Sequence, residues 1–544
     1  MGELFRFLPA GSDSFLVELE DLDATLTLLD ALLATPLHGV VEAIPAARTV
    51  MIKFDPFLAD RPTLTNSISR MDLSKRSVRQ GGLFEIPVTY DGADLEEVAK
   101  LLGWSVEEVI RRHTDATYTV AFTGFAPGFA YMTCDDEGFD VPRRKSPRVR
   151  VPAGSVALAG KFGGIYPSDS PGGWQLLGST SLKMWDTTRD RPALLAPGDR
   201  VRFRNLPESA AIALNSGEGQ TTPAPPLATE GLRATRSDRP TLYQDLGRRG
   251  RSSQGVSESG AVDRGAMQAA NLLLGNSRDE AVIEVTLGGF ALQADRAVTV
   301  AVTGAPCSLT IRTQAGSEVK APFARAFALD AGDELSMGVP SAGMRSYLAL
   351  RGGFVVERVL GSAATDTLAK VGPEVIQAGS LLVPAAKLAS AVDPIPLEPY
   401  DLPRAGDVVE LDVIPGPRTD WFTLAGIETL QTQEWHVTPH SSRIGMRLSG
   451  SSPIERSVQK ELPSEGTVLG AIQVPADGQP VLFLADHPLT GGYPVIGVVA
   501  GHHLDLAGQI PIGARIRFKL IAAFDPQVRV AEPLAPVASI PQED

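Results

Sequence analysis

At 544 residues the chain exceeds what one hydrophobic core can organise, and its net charge of −14 sets it against nucleic acid and anionic membrane surfaces. Two widely separated cysteines, Cys134 and Cys307, in no Cys/His spacing, argue against a disulfide framework and a structural zinc site. The 53 glycines and 42 prolines favour short strands joined by turns; with no run of ~18 apolar residues and no basic-then-apolar leader pattern, a cytoplasmic protein is expected.

In chain order, Ser14–Leu19 reads as a strand. Asp21–Leu33 reads as a helix, with Leu22, Leu26, Leu29 and Leu33 along one face. Val41–Ile44 and Thr49–Phe54 alternate like strands, and Asp60–Met71 has helical character. A strand is predicted over Phe84–Tyr90 and a helix over Asp94–Leu102. A capping box at Ser105-Val-Glu-Glu108 opens another helix, running to about His113. From Tyr118 to Phe203 the pattern is β-rich and punctuated by glycine and proline. Residues 216–231, small, polar and Pro-rich, make a linker, and Asp393–Pro403 marks a second break. The Pro-rich tail after about Glu532 is expected to be disordered.

The sequence also repeats itself. Val151-Pro-Ala-Gly154, Gly172-Gly-Trp-Gln-Leu-Leu-Gly178 and Gly198-Asp-Arg-Val-Arg-Phe203 are echoed, in order, by Val474-Pro-Ala-Asp-Gly478, Gly491-Gly-Tyr-Pro-Val-Ile-Gly497 and Gly513-Ala-Arg-Ile-Arg-Phe518. Leu329-Asp-Ala-Gly-Asp333 is a weaker third echo of the last piece. We expect 151–203 and 474–518 to share a fold, with Trp174 and Tyr493 equivalent and facing a common cleft.

Gly124-Phe-Ala-Pro-Gly-Phe-Ala-Tyr131 is the densest candidate site. Its glycines and Pro127 allow a sharp turn with exposed amides, and Phe125, Phe129 and Tyr131 alternate. The segment is either a pocket wall or a core strand with a tight turn. Pro142–Pro152 packs five basic residues into an acidic protein. There Arg148 and Arg150 alternate with Val149 and Val151, which points to anion binding by one arginine pair over a merely solvated hairpin. Tyr166-Pro-Ser-Asp-Ser-Pro-Gly-Gly-Trp174, with Ser170, suits a small polar substrate or a long capped turn. Glu284, an acid inside an apolar strand, is expected to meet an arginine. His113 is the best single candidate for acid–base work, its alternative being a helix C-terminal cation. No metal site is expected: His502 and His503 are adjacent, and on a strand they would face opposite ways. No Walker-type loop is present.

Gly124–Tyr131, Pro142-Arg-Arg144, Val151–Ser155 and Ile165–Trp174 resemble allophanate hydrolase subunit 1, also called the B subunit of 5-oxoprolinase. Tyr243-Gln-Asp-Leu-Gly-Arg248, Ser259-Gly-Ala-Val-Asp263, Gly470–Pro475 and Thr490–Pro494 resemble allophanate hydrolase subunit 2, or the C subunit of 5-oxoprolinase. The resemblance covers nearly the whole chain and implies a mainly β protein with α+β character, built on duplicated cyclophilin-like β-barrels. The implied organisation is a small α+β domain (1–82), a cyclophilin-like domain of subunit 1 type (83–215), the linker (216–231), a first β-rich part of subunit 2 type (232–392), a second, cyclophilin-like part (393–532) and a tail (533–544).

The activity so implied is ATP-dependent opening of 5-oxoproline to glutamate with a separate third subunit. The alternatives are a urea-carboxylase-type carboxyltransferase, fed with carboxybiotin by biotin carboxylase and biotin carrier proteins, and, outside enzymes, a regulator that binds a sensor kinase. Candidate catalytic residues are His113, Arg148, Arg150, Asp245 and Asp486. Candidate substrate-binding residues are Gly124, Phe125, Pro127, Gly128, Tyr131, Tyr166, Ser170, Gly172, Gly173, Trp174, Gln473, Gly491, Gly492 and Tyr493.

Overall fold

A computed structural model describes residues 4–73, 81–206 except 137, 145 and 147, 230–395, 397 and 401–530. Most of the expected linker, the whole tail and parts of the 142–152 and 393–403 segments lie outside the described residues.

The N-terminal unit is a sheet covered by two helices. Its strands are β1 (Leu4–Pro9), β2 (Ser14–Glu18), β3 (Val40–Pro45) and β4 (Thr49–Phe54), with α1 (Leu22–Ala34) and α2 (Arg61–Ser69). Asp21 and Asp60 cap the helices by accepting from the Ala24 and Thr63 amides at 2.9 and 2.7 Å. Phe5, Phe7, Phe15 and Val17 pack under Leu28, Leu32, Leu64 and Ile68. The opposite face, Leu8, Leu16, Ile44 and Met51, is buried against Val468, Phe483, Leu489 and Val495 of the C-terminal part. β4, expected to alternate, is instead buried on both faces over most of its length.

Next comes a seven-stranded sheet. Its elements are β5 (Leu83–Val88), α3 (Leu95–Leu102), α4 (Val106–Asp115), β6 (Tyr118–Thr123), β7 (Ala130–Cys134), β8 (Arg148–Val151), β9 (Ser155–Ala159), β10 (Phe162–Ile165), β11 (Ser170–Gly172), β12 (Gln175–Ser179) and β13 (Arg200–Asn205). The order is β12-β9-β10-β7-β6-β13-β5, with β8 and β11 paired beside it. A bridge between Thr89 and Ser179 brings the two edges together, so the sheet is nearly a barrel.

The middle unit stacks two sheets. It comprises β14 (Leu232–Ser237), β15 (Thr241–Gln244), α5 (Arg264–Leu273), β16 (Val282–Thr286), β17 (Phe290–Ala294), β18 (Val298–Gly304), β19 (Leu309–Arg312), β20 (Glu318–Lys320), β21 (Ala326–Leu329), β22 (Glu334–Met337), β23 (Arg345–Leu350) and β24 (Leu381–Leu382). Orders β20-β19-β22-β17-β14-β24 and β15-β16-β23-β18-β21 enclose a common core.

The last unit is a closed barrel ordered β25-β32-β29-β30-β27-β26-β33. Its elements are β25 (Val408–Pro415), α6 (Leu424–Thr432), β26 (Trp435–Val437), β27 (Gly445–Ser449), β28 (Glu465–Gly466), β29 (Ala471–Gln473), β30 (Val481–Phe483), β31 (Thr490–Gly491), β32 (Val495–Val499), α7 (Leu504–Gln509), β33 (Arg515–Leu520) and β34 (Gln527–Val530). β34 leaves the barrel and pairs with β1, adding a fifth strand to the N-terminal sheet. No helix among the described residues is long and apolar enough to cross a membrane.

The two barrels correspond strand for strand, each number in the first order reappearing raised by twenty in the second. In both, the last strand runs parallel to the first, β13 to β5 and β33 to β25. β13 turns Val201 and Phe203 inward and Arg200, Arg202 and Arg204 outward, and β33 does the same with Ile516 and Phe518. Two repeat pieces are therefore structural equivalents: the Gly-Gly-aromatic loops before β12 and β32, and the closing strands. The third is not, because Val151-Pro precedes β9 whereas Val474-Pro follows β29. The weaker echo is a turn shared with the first barrel alone: Asp199 and Asp333 each accept from the amide three residues upstream, at 2.8 and 3.0 Å, whereas Ala514 holds the corresponding place in the last barrel.

Candidate functional site

A cleft of about 560 Å³ lies between the two barrels. The first barrel contributes Phe125, Phe129, Tyr131, Arg143, Arg144, Tyr166 and Gly172–Trp174; the last contributes Arg456, Lys460, Ser464, Gln473 and Thr490–Tyr493. The two Gly-Gly-aromatic loops thus face one cavity.

The Gly124–Tyr131 segment is the hinge of this arrangement. Phe125 adopts φ +63°, and its amide donates to Thr490 Oγ1 at 3.1 Å across the cleft floor. A Cβ on Gly124 would lie 2.6 Å from the same oxygen, so only glycine lets the barrels approach this closely. The expectation of free backbone donors is corrected here. The Gly124, Ala126, Gly128 and Phe129 amides all bond within the protein, to Phe129 O, Gly124 O, Gln254 O and Ala126 O. The loop is held by its amides and presents its rings.

Those rings form an edge-to-face cluster. Phe129 lies 5.3 Å from Trp174 and 5.4 Å from Tyr166, and Tyr131 lies 5.5 Å from Trp174. Burial pushes the Tyr131 phenol above its ordinary value, opposed by the Ser464 and Thr490 hydroxyls and by Arg143. Burial likewise pushes Tyr166 up to about 12. Gly172 leaves room for Tyr166, whose hydroxyl would be 2.3 Å from an added Cβ. On the other wall Gln473 Nε2 donates to Tyr493 O at 3.0 Å, fixing the second aromatic loop.

The basic lining of the cleft is Arg143, Arg144, Arg456 and Lys460. Arg144 is tied to Asp94, and its amide donates to Gly173 O at 2.8 Å. Arg143 has no carboxylate within 4 Å among the described residues, and its Nη1 comes within 3.3 Å of a Cβ built on Gly492, across the cleft. Arg456 donates to Val474 O, and burial lowers its pKa.

The five candidate catalytic residues all lie outside this lining. His113 is fully buried in the unit of the first barrel, stacked 4.3 Å from Phe203, with Nδ1 2.7 Å from the Tyr90 hydroxyl. Burial drives its pKa down to about 3, so it is a neutral core imidazole and not a helix-end cation, and it lies outside the cleft lining. Arg148 makes a two-pronged pair with buried Asp94 at 2.7 and 2.8 Å, and Arg150 pairs with Asp169 at 2.6 Å on the surface. Val149 between them is 93% exposed, so the alternation predicted for a half-buried strand does not exist there. Asp245 is buried, accepting from Ser362 Oγ at 2.6 Å and the Ala363 amide at 2.7 Å. Asp486 is fully buried, paired with Arg443 at 3.0 Å and accepting from Ser259 Oγ at 2.7 Å. Arg443 also binds Glu284, the arginine expected for that acid, and the network staples the middle unit to the last barrel.

Of the candidate binding residues, Gly124, Pro127, Gly128 and Ser170 shape the surrounding turns and do not line the cleft. Thr490, Ser464, Arg143 and Arg456 also line it, though none is a candidate from the sequence; Arg143 stands within the basic run, but only Arg148 and Arg150 alternate with apolar residues there. His502 and His503 sit on a short helical turn, not a strand, so both reach Asp412, at 3.0 and 4.0 Å. His503 Nδ1 already accepts the Asp412 amide at 2.9 Å.

Both halves match known families. Residues 5–195 match the carboxyltransferase domain, subdomain C and D, and residues 254–520 match the carboxyltransferase domain, subdomain A and B. The chain belongs to the carboxyltransferase-domain family. Within this family it is 34% identical to the C subunit of 5-oxoprolinase from Escherichia coli (strain K12), covering 53% of this chain and 90% of that protein. It is 43% identical to the B subunit of 5-oxoprolinase from Escherichia coli O157:H7, covering 30% of this chain and 78% of that protein. The crystal structure of TTHA0988 superposes with a TM-score of 0.77 at 32% identity, covering 93% of this chain and 99% of that one. The carboxyltransferase-domain chain therefore joins in one polypeptide what those bacteria keep as separate subunits, and its cleft is lined by both halves.

Proposed function

We propose that the chain is the fused B and C component of an ATP-dependent 5-oxoprolinase, acting with a separate third subunit, and that the inter-barrel cleft holds 5-oxoproline. The observation that carries the reading is a cleft completed only when the B-like and C-like halves meet, with Arg143, which has no carboxylate partner among the described residues, across from the Gly491–Gly492 turn. A small cyclic amide bearing a carboxylate suits this lining. Arg143 takes the carboxylate as a charge-assisted bond. The Tyr166 and Trp174 rings cover the apolar ring carbons. Arg456 and the Thr490 hydroxyl face the amide carbonyl, where negative charge develops when the ring opens.

ATP belongs to the assembled complex in this reading. The loop amides that would cradle a triphosphate are engaged within the protein, so no step is assigned to the nucleotide on these residues. The family description supports a second reading, transfer of a carboxyl group from carboxybiotin supplied by biotin carboxylase and biotin carrier partners, for which the aromatic walls offer faces to a flat bicycle. The experiment is reconstitution. Purified chain with the third subunit should convert 5-oxoproline to glutamate with ATP hydrolysis, and neither component alone should do so. Full turnover by the isolated chain would refute the partner requirement, and carboxylation of urea with free carboxybiotin would favour the second reading.

A further inference from the structure

A second cavity, of about 380 Å³, lies where three units meet: the N-terminal sheet, the 248–264 segment of the middle unit and the last barrel. Its lining is rich in charge. The acids are already engaged. Glu258 accepts from Arg249 at 2.8 Å and Arg264 at 3.2 Å, Glu42 from the Ser252 amide at 3.0 Å, and Asp55 from the Phe57 amide at 2.9 Å. Asp13 accepts from Ser14 Oγ at 3.3 Å.

The cations are not fully engaged. Arg248 is only 2% exposed and donates Nη2 to Ala364 O; its Nε and Nη1, without a hydrogen-bond partner among the described residues, are closed off from the cavity and lie in the field of Asp366, Asp245 and Asp486. Arg251 Nε is also buried without a partner. Neither Arg251 nor Lys53 has a carboxylate within 4 Å among the described residues, and Lys53 is close enough to bias both Glu258 and His487. A guanidinium and an ammonium that line a cavity without a carboxylate partner are available to an oxyanion, and the guanidinium fork fits one.

We propose that this cavity binds a small oxyanion, the carboxylate or phosphate group of a small molecule, on Arg251 and Lys53, with buried Arg248 adding positive charge behind them. It is separate from the inter-barrel cleft but shares a wall with it. His487 and Leu489 line the second cavity, whereas Pro488 and Thr490 line the first, the alternation of an extended segment. An anion here would press on the strand that carries Thr490.

The test is calorimetric titration of the full chain with inorganic phosphate, pyrophosphate and acetate at constant ionic strength. Saturable one-to-one binding of at least one probe is expected, and the tighter of the phosphate and carboxylate arms identifies the source. Arg251→Gln and Lys53→Met should each weaken it about tenfold, the loss of one charge-assisted bond, with unchanged melting curves. Arg143→Ala, in the other cleft, should leave it intact. Buried Arg248 is avoided because its removal can unfold the chain. Absence of saturable binding by every probe, equal binding in the Arg251 and Lys53 variants, or loss of binding in Arg143→Ala would overturn the proposal.

Discussion

The Phe125 amide of the first barrel donates to Thr490 Oγ1 of the last at 3.1 Å, from a position 365 residues away in the sequence. This bond closes the floor of the cleft, and Gly124 beside it is the position where a side chain would prevent it. Gly124→Ala should separate the two walls and reduce turnover of the reconstituted complex at least tenfold. Thr490→Val keeps the shape but loses the bond, and should cost about 1 kcal/mol in denaturant unfolding. Equal activity of Gly124→Ala and wild type would show that the close approach is dispensable.

Arg148 and Arg143 should separate stability from substrate use. Arg148→Ala leaves Asp94, 3% exposed at its side chain, with Arg144 as its remaining arginine. A destabilisation of roughly 1–3 kcal/mol is expected, with little change in KM. A raised KM without destabilisation would return Arg148 to the binding site.

His113 gives a pH dependence with a defined sign. Its folded pKa, about 3, lies below the ordinary value of 6.5, so the unfolded chain binds the proton first. Its contribution is full above pH 6.5 and is lost as pH falls toward 3, with a limiting slope of about 1.4 kcal/mol per pH unit. His113→Phe keeps a ring against Phe203 and removes the titration. Its stability deficit relative to wild type should therefore shrink steadily from pH 6.5 to pH 4. A deficit independent of pH would show that the imidazole is protonated in the folded state.

Asp366 carries the opposite sign. Burial, and then the nearby Asp486 charge, raise its pKa to about 7, so ionising it above that pH opposes folding. Asp366→Asn preserves an oxygen for the Leu368 and Ala369 amides, bonded at 3.0 and 2.8 Å, and should stabilise the protein at pH 8 more than at pH 5. Thermal melts at the two pH values decide it; a variant less stable at pH 8 would contradict the assignment.

What the sequence made legible was local or periodic. Helix starts at Asp21, Asp60 and Ser105 depend on one side chain and an amide three residues on, and all three caps are present. The Gly-Gly-aromatic loops and the Arg-apolar-Arg-Phe strands carried the duplication because each is defined by turn chemistry or alternation. The charged sites were not legible in the same way. Asp94 lies 54 residues before Arg148 and Arg443 lies 159 residues after Glu284, so only the fold reveals which charges are spent on pairing. Val151-Pro misled because the same tripeptide turns the chain on opposite sides of equivalent strands. His502 and His503 misled because a helical turn brings to one side what a strand would separate.

The central claim is that the cleft shared by the two barrels holds the carboxylate of 5-oxoproline on Arg143. The direct measurement is the steady-state kinetics of Arg143→Ala in the complex reconstituted with the third subunit, with 5-oxoproline as the varied substrate. Loss of one charge-assisted bond should raise KM about tenfold or more, while the melting temperature stays that of wild type. An unchanged KM for 5-oxoproline would contradict the account.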